Sequence, residues 1–261
     1  MEQNLSKKTR TESDLIGSRE VPESALYGVQ TLRGIENFRI SKFHLNEYPL
    51  FIQALAITKM GAAVANRELD LLTEEQADAI LKACKEILEG KHHDQFPVDM
   101  IQGGAGTTTN MNANEVIANR ALELMGHQRG EYQYCSPNDH VNRSQSTNDA
   151  YPTAIHIGLY YTHLKLVKHF EVLIESFRKK ATEFAHVIKM GRTQLEDAVP
   201  MTLGQTFNGF ASILRHEVKN LDFAAQDFLT VNMGATAIGT GITAEPEYAE
   251  KCIAALRKIT G

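Results

Sequence analysis

Three segments of the sequence break apolar patterns with small polar residues, and each leads toward a helical stretch. The first is Gln102-Gly103-Gly104-Ala105-Gly106-Thr107-Thr108-Thr109-Asn110. The second is Ser136-Pro137-Asn138-Asp139-His140, running on to Ser144-Gln145-Ser146-Thr147-Asn148-Asp149. The third is Gly191-Arg192-Thr193-Gln194-Leu195-Glu196-Asp197-Ala198-Val199-Pro200. All three supply hydroxyls, amides and backbone N–H groups. A helix N-terminus leaves its first N–H groups unpaired and favours a bound anion. Several such ends converging would hold a small dianion. Donors fixed around a carboxylate also stabilise the charge that builds on it when a proton leaves the neighbouring carbon.

Each segment has a plainer reading beside this one. Ser146-Thr147-Asn148-Asp149 alone reads as the N-cap of a long helix, and the glycine-rich stretch as an ordinary turn. Gly234-Ala235-Thr236-Ala237-Ile238-Gly239-Thr240-Gly241 has P-loop glycine spacing. Thr240 stands where a P-loop needs Lys, and the stretch follows a helical pattern rather than a strand. It reads as a loop near the site, without a nucleotide. His92-His93-Asp94 could be taken for a metal cluster, but adjacent histidines point different ways on any regular element, which favours a surface loop. Cys84, Cys135 and Cys252 are odd in number and widely spaced. They fit neither a disulfide framework nor a zinc site, and read as buried, reduced thiols.

The elements that must position these segments are helical. Thr73-Glu74-Glu75-Gln76 reads as an N-cap with a capping box, opening a helix to about Leu88 that Gly90 ends. Residues 47–69 carry apolar residues at helical spacing. Between Gly158 and Gly191 there is neither Gly nor Pro, and Leu166, Phe170, Leu173, Phe177, Ala181, Phe184 and Ile188 step by three or four. A second stripe, Val167, Ile174, Ala181 and Ile188, steps by seven. A helix with two apolar stripes must be covered on more than one side. Residues 210–233 repeat the pattern from Phe210 and Ile213 to Phe228. Strand signals are weak everywhere. Pro22-Glu23-Ser24 reads as a helix start, and residues 1–20 as polar and mobile. The fold class is all-α: a small N-terminal helical domain over 1–149, then the first part of a long-helix central bundle over 150–261, with other subunits completing the packing.

Composition narrows the functional classes. The chain has 261 residues, and 27 basic against 32 acidic side chains leave a net charge of −5. Without a basic stripe, nucleic acid is not an expected partner. No run of 18 apolar residues offers a membrane span. The first twenty residues lack the apolar core of a secretory leader, so a cytoplasmic location is expected.

Together the segments resemble the aspartase/fumarase superfamily. The resemblance runs from about Thr11 to Gly261 and is carried by GSREVPESALYGVQT (17–31), IQGGAGTTTNMNANEVIANRA (101–121), SPNDHVNRSQSTNDAYPTA (136–154) and GRTQLEDAVPMTLGQ (191–205). ELMGHQRGEYQY (123–134) and LTVNMGATAIGTG (229–241) resemble its deaminating branch. That resemblance implies a homotetramer around a central helical bundle, with each active site drawn from three subunits. It implies reversible anti-elimination of ammonia from L-aspartate to give fumarate, with no cofactor required and Mg²⁺ stimulating some members. By motif position Thr107, Ser146 and Thr147 would hold the β-carboxylate, and Asn148 and Thr193 would stand near the α-carboxylate and amine. Ser136-Pro137-Asn138-Asp139 matches a turn that forms a peripheral anion site in fumarases, where the pattern has His in place of Ser136.

Two departures bear on the chemistry. Gln194, grouped with the substrate-binding residues, stands where many fumarases have His. Glutamine cannot titrate, so it cannot protonate a hydroxide leaving group. Aspartate's amine arrives as ammonium and leaves as ammonia, so Gln194 suits deamination better than hydration. The family's catalytic serine, in a glycine- and serine-rich loop followed by Met-Pro, Lys and Asn, has no counterpart in this sequence. On the resemblance the chain is therefore expected to be the N-terminal part of a longer protein, with no catalytic base of its own. A class II fumarase and a non-enzymatic helical fragment are the competing readings.

Overall fold

The computed structural model describes residues 8–261. In chain order the elements are β1 (Thr9–Asp14), β2 (Gly17–Pro22), α1 (Val29–Asn37), α2 (Pro49–Glu68), α3 (Glu74–Leu88), α4 (Thr107–Leu124), α5 (Thr147–Glu183), β3 (Ile188–Thr193), β4 (Glu196–Thr202), α6 (Leu203–Ala225) and α7 (Tyr248–Thr260). The fold is all-α; its named strands form two antiparallel hairpins, β1–β2 and β3–β4. The chain divides into two compact units, one running up to Gly158 and resuming over Val231–Gly261, the other covering Leu159–Thr230.

In the first unit α2 is the central element. Ile52, Ala54, Leu55, Ala56 and Ile57 are buried on successive faces, because α3 and α7 both pack against it. Burying one such leucine or isoleucine side chain stabilises by about 1.5–3 kcal/mol. Gly61 lets α7 approach closely, since a Cβ there would lie 2.6 Å from Leu256. α3 begins as the sequence indicates: Thr73 Oγ1 accepts the Gln76 N–H, and the Gln76 side chain accepts the Thr73 N–H. Gly90 leaves that helix in the left-handed region at φ 87°. The three cysteines are free and buried, and burial pushes each thiol up to about 12.

The N-terminal expectations need correction. Residues 9–22 form a hairpin in which Thr9 pairs with Pro22. Its inner face sets the charged Arg10 and Glu12 beside the buried Val21, which hides the strand pattern. Arg10 donates to the carbonyls of Pro22, Ala25 and Tyr27, and it pairs with the buried Glu12 at 2.7 Å. The expected start at Pro22-Glu23-Ser24 gives way to α1 at Val29. There the buried Glu115 accepts the N–H groups of Gly28, Gln30 and Thr31, and Glu12 accepts that of Val29. Carboxylates distant in sequence thus supply the favourable charge at this N-terminus. The mobility expected of Met1–Lys7 concerns residues outside those described.

In the second unit, Phe177, Phe184, Phe207 and Phe210 form a ring cluster. A Cβ at Gly204 would lie 2.4 Å from the Ala181 carbonyl oxygen, so α6 starts hard against the end of α5. α5 starts where the Ser146–Asp149 cap places it and differs from the sequence expectation at its C-terminal end. It begins at Thr147, passes through Pro152 and Gly158, and stops at Glu183. Ile188, expected on its stripe, lies in β3. α6 likewise runs earlier than the 210–233 pattern, because Thr202 and Gln205 form a capping box ahead of it.

Candidate functional site

Ser146 opens α5. Its Oγ accepts the Asn148 N–H at 3.2 Å, and Asp149 Oδ1 accepts the Ser146 N–H at 2.9 Å. Asp149 is fully buried, and its second oxygen accepts the N–H groups of Gly234 and Thr236 at 3.1 and 2.8 Å. Pro152 has no N–H to bond the Asn148 carbonyl four residues back. Asn232 Nδ2 donates to that carbonyl instead, at 3.0 Å. Asn148 Nδ2 in turn donates to the Ala237 carbonyl at 2.9 Å. The 232–237 loop is thereby fastened to the first turn of α5.

The glycine-rich segment meets the same helix end. Gly104 and Gly106 take φ of 71° and 91°, and a Cβ on Gly106 would lie 2.4 Å from the Tyr151 ring. Gln102 fixes the loop to α4: its Oε1 accepts the Thr109 N–H at 2.9 Å and its Nε2 donates to the Thr109 hydroxyl. α4 starts at the exposed Thr107, and its N-cap, Gly106, offers no side-chain acceptor. A cleft of about 490 Å³ lies here, lined by Gln102, Gly104, Gly106, Asn148, Tyr151 and Pro152 among others. Its floor combines a helix start whose N-cap residue gives no side-chain acceptor with the Asn148 amide, a setting suited to a carboxylate.

Behind Thr147 stands a buried polar cluster. Lys59, from the middle of α2, is 1% exposed. Its ammonium donates to Asn110 Oδ1, Asn142 Oδ1 and Gln145 Oε1 at 2.7, 2.9 and 2.8 Å. Asn110 Nδ2 then donates to Thr147 Oγ1 and to Asn142 Oδ1, both at 3.1 Å. Burial pulls the Lys59 ammonium down to about 7, against the opposing pull of Asp149.

Thr193 and Gln194 belong to the second unit, at the end of β3. Gln194 and Leu195 form the turn to β4 with φ of 51° and 71°. Two consecutive left-handed residues are the requirement of a type I′ hairpin turn, normally met by Asn-Gly. Here the second is a leucine exposed to solvent, a strained residue of the kind that clusters at functional sites. The structure therefore brings the first two segments together within one unit and sets the third at a hairpin tip of the other.

The remaining candidates behave more simply. Ser136 Oγ accepts the Asp139 N–H and caps the 137–141 turn. The Ser136 N–H donates to His140 Nδ1 at 2.7 Å, and burial holds the His140 pKa below its usual value. His92 and His93 turn to separate partners, Glu86 and the Ile87 carbonyl. Among the described residues, no three His, Cys, Asp or Glu side chains converge to hold a metal ion.

The sequence alone assigned no role in this site to Lys59, Asn142 and Gln145, and gave Asp149 only a place in the helix cap. The usable signal was a lone lysine inside the apolar stretch PLFIQALAITKMGAAVA. A helix apolar on every face buries that lysine whatever its rotation.

A family model described as a lyase matches residues 17–261. The chain is 54% identical over 258 residues to an aspartate ammonia-lyase of Escherichia coli strain K12, covering 98% of this chain and 54% of that protein. An aspartate ammonia-lyase of Pseudomonas canavaninivorans is 56% identical over 253 residues, covering 97% of this chain and 53% of that protein. The crystal structure of a fumarate lyase:delta crystallin from Brucella melitensis bound to cobalt superposes with a TM-score of 0.95 at 51% identity, over 97% of this chain and 55% of that one. A class II fumarase from Schistosoma mansoni gives 0.88 at 36%, over 97% of this chain and 53% of that one. The chain thus spans about half the length of the relatives it matches.

Proposed function

The chain belongs to that lyase family, and from this premise we propose that it serves the reversible elimination of ammonia from L-aspartate to give fumarate. The observation that carries this reading is the identity to aspartate ammonia-lyases, 54% over 98% of the chain. The cleft supports it, with the Gly104–Gly106 turn facing Asn148 at the start of α5.

The proton on C3 of aspartate is a very weak acid, and its removal places a second negative charge on the β-carboxylate. Thr107, Ser146 and Thr147 are assigned as donors to those oxygens. Preorganised neutral donors are worth several kcal/mol at such a site. Asn148 and Thr193 are assigned to the α-carboxylate and amine. Gln194 stays neutral at every pH, and the departing ammonia needs no acid from it. The base that takes the C3 proton is assigned to no residue of this chain.

A cytoplasmic homotetramer with sites drawn from three subunits goes with this reading. Val172 on α5 and Phe223 on α6 support association, being 70% and 83% exposed in the single chain. Among the described residues no helix is long and apolar enough to cross a membrane.

The test is ultraviolet detection of fumarate formed from L-aspartate. It compares the chain alone with the chain joined to the remaining C-terminal part of the Escherichia coli relative. The joined protein is expected to turn over and the chain alone to be inactive. An inactive, correctly folded joined protein would overturn the reading. Turnover by the chain within a factor of about ten of the joined protein, a gap of about 1.4 kcal/mol, would place the base within these 261 residues.

A further inference from the structure

We propose that Lys59 is a positioning residue for this reaction: through Asn110 it fixes the direction of the hydrogen bond at Thr147, so that the Thr147 hydroxyl keeps its proton to donate to a substrate carboxylate. The inference rests on the reading above, which assigns Thr147 to a substrate carboxylate.

The polarity follows from counting donors. An ammonium has three N–H donors and no acceptor. Lys59 Nζ meets three side-chain amides within 2.9 Å, so each must present its oxygen. That requirement fixes the orientation of the Asn110 amide, with Oδ1 on Lys59 and NH₂ on the other side. The NH₂ group has two protons. One goes to Asn142 Oδ1 and the other to Thr147 Oγ1. Thr147 therefore accepts from Asn110, and its own proton is left for another partner. Among the described residues none takes it. Thr147 is only half-buried, so a ligand can.

The arrangement also explains why a lysine stands in this core. Its charged and titratable neighbours are Asp149, Cys84 and Cys252, set on α5, α3 and α7. None of the three makes a hydrogen bond to Nζ, whose partners are all amides. An apolar side chain would pack there at less cost than a desolvated charge. The ammonium instead imposes one orientation on Asn110, Asn142 and Gln145 together. Donors whose directions are set before substrate arrives need no reorganisation as charge develops.

Two variants of the joined protein test this. Asn110→Asp keeps an oxygen on Lys59 but presents an acceptor to Thr147, which must then donate inward. The contact with Lys59 is kept and its charge gains a carboxylate partner, which offsets the lost bond to Asn142 Oδ1, so the variant is expected to fold. Lys59→Met removes the ammonium and frees the Asn110 amide to rotate. Each is assayed for kcat and KM on L-aspartate at pH 6, where Lys59 holds its proton, alone and combined with Thr147→Val. The expected result is a fall in kcat of about tenfold or more in either single variant, because the interaction strengthens as charge develops. KM should change less, and neither variant should lower activity further once Thr147 is Val. Where Lys59→Met does not fold, Asn110→Asp carries the test. Wild-type kcat in Asn110→Asp, or losses that add to that of Thr147→Val, would overturn the proposal and leave the lyase reading intact. An inactive joined wild type would overturn both.

Discussion

Asp149 accepts the backbone N–H of Thr236 at 2.8 Å, across 87 positions of sequence. Its other oxygen holds the Ser146 N–H. One buried carboxylate therefore joins the polar turn that opens α5 to the 234–241 loop. Every hydrogen bond it receives comes from a backbone donor. Asp149→Asn would turn an NH₂ group toward at least one of those N–H groups. A buried donor left without an acceptor costs about 1–3 kcal/mol. Thermal unfolding should show a Tm lower by several degrees, with the loss of activity following the displacement of Asn148. An unchanged Tm would mean that the loop is held by Asn148 and Asn232 alone.

Lys59 sets a pH dependence with a definite sign. Its folded pKa is about 7 and its unfolded value is about 10.4. Between these values the unfolded chain binds more protons than the folded one, so stability rises with pH across that window. Below about 7 both states hold the proton and the full cost of burying the charge remains. Lys59→Met removes this contribution. The Tm of the wild type minus that of Lys59→Met, measured at pH 6, 7.5 and 9, should therefore increase with pH. A constant difference would show that the three amide oxygens keep the ammonium charged throughout.

The polar segments were legible in the sequence because small hydroxyl and amide residues interrupt long helical patterns there. α3 was legible down to its cap, because the Thr73–Gln76 box is local. What was not legible depends on partners distant in sequence. The start of α1 is set by Glu115, more than eighty residues on. The β1–β2 hairpin buries an Arg10–Glu12 pair where a strand would normally show an apolar face. Lys59 and Asp149 look like ordinary charged residues until α2, α4 and the 232–237 loop enclose them. The start of α5 at Thr147 was legible in the local Ser146–Asp149 cap, whereas the passage of that helix through Pro152 was not, because the missing N–H is compensated by the distant Asn232.

The Gln194–Leu195 turn offers a test of stored strain. Leu195 holds φ of 71° with its side chain 96% exposed, so almost no packing offsets the conformational cost. Such residues cost about 1–3 kcal/mol. Glycine at this position loses about 0.5–1 kcal/mol through the unfolded chain. Leu195→Gly should thus raise the unfolding free energy by about 1 kcal/mol, read from urea denaturation. A destabilised variant would show that Leu195 is covered in the assembled protein, as a turn serving an intersubunit site would be.

The central claim is that the turn opening α5 grips a carboxylate of L-aspartate. Its most direct test is the turnover of Thr147→Val in the chain joined to the C-terminal part of the Escherichia coli relative. The variant keeps the shape of the side chain and removes one donor from the developing charge. Loss of one such donor typically costs about 3 kcal/mol, or about a hundredfold in kcat. The expected result is that hundredfold loss in a folded protein whose Tm falls by several degrees, because valine leaves one buried Asn110 N–H without its acceptor. Unchanged turnover on L-aspartate would contradict the account, leaving Thr147 no role beyond the first position of α5.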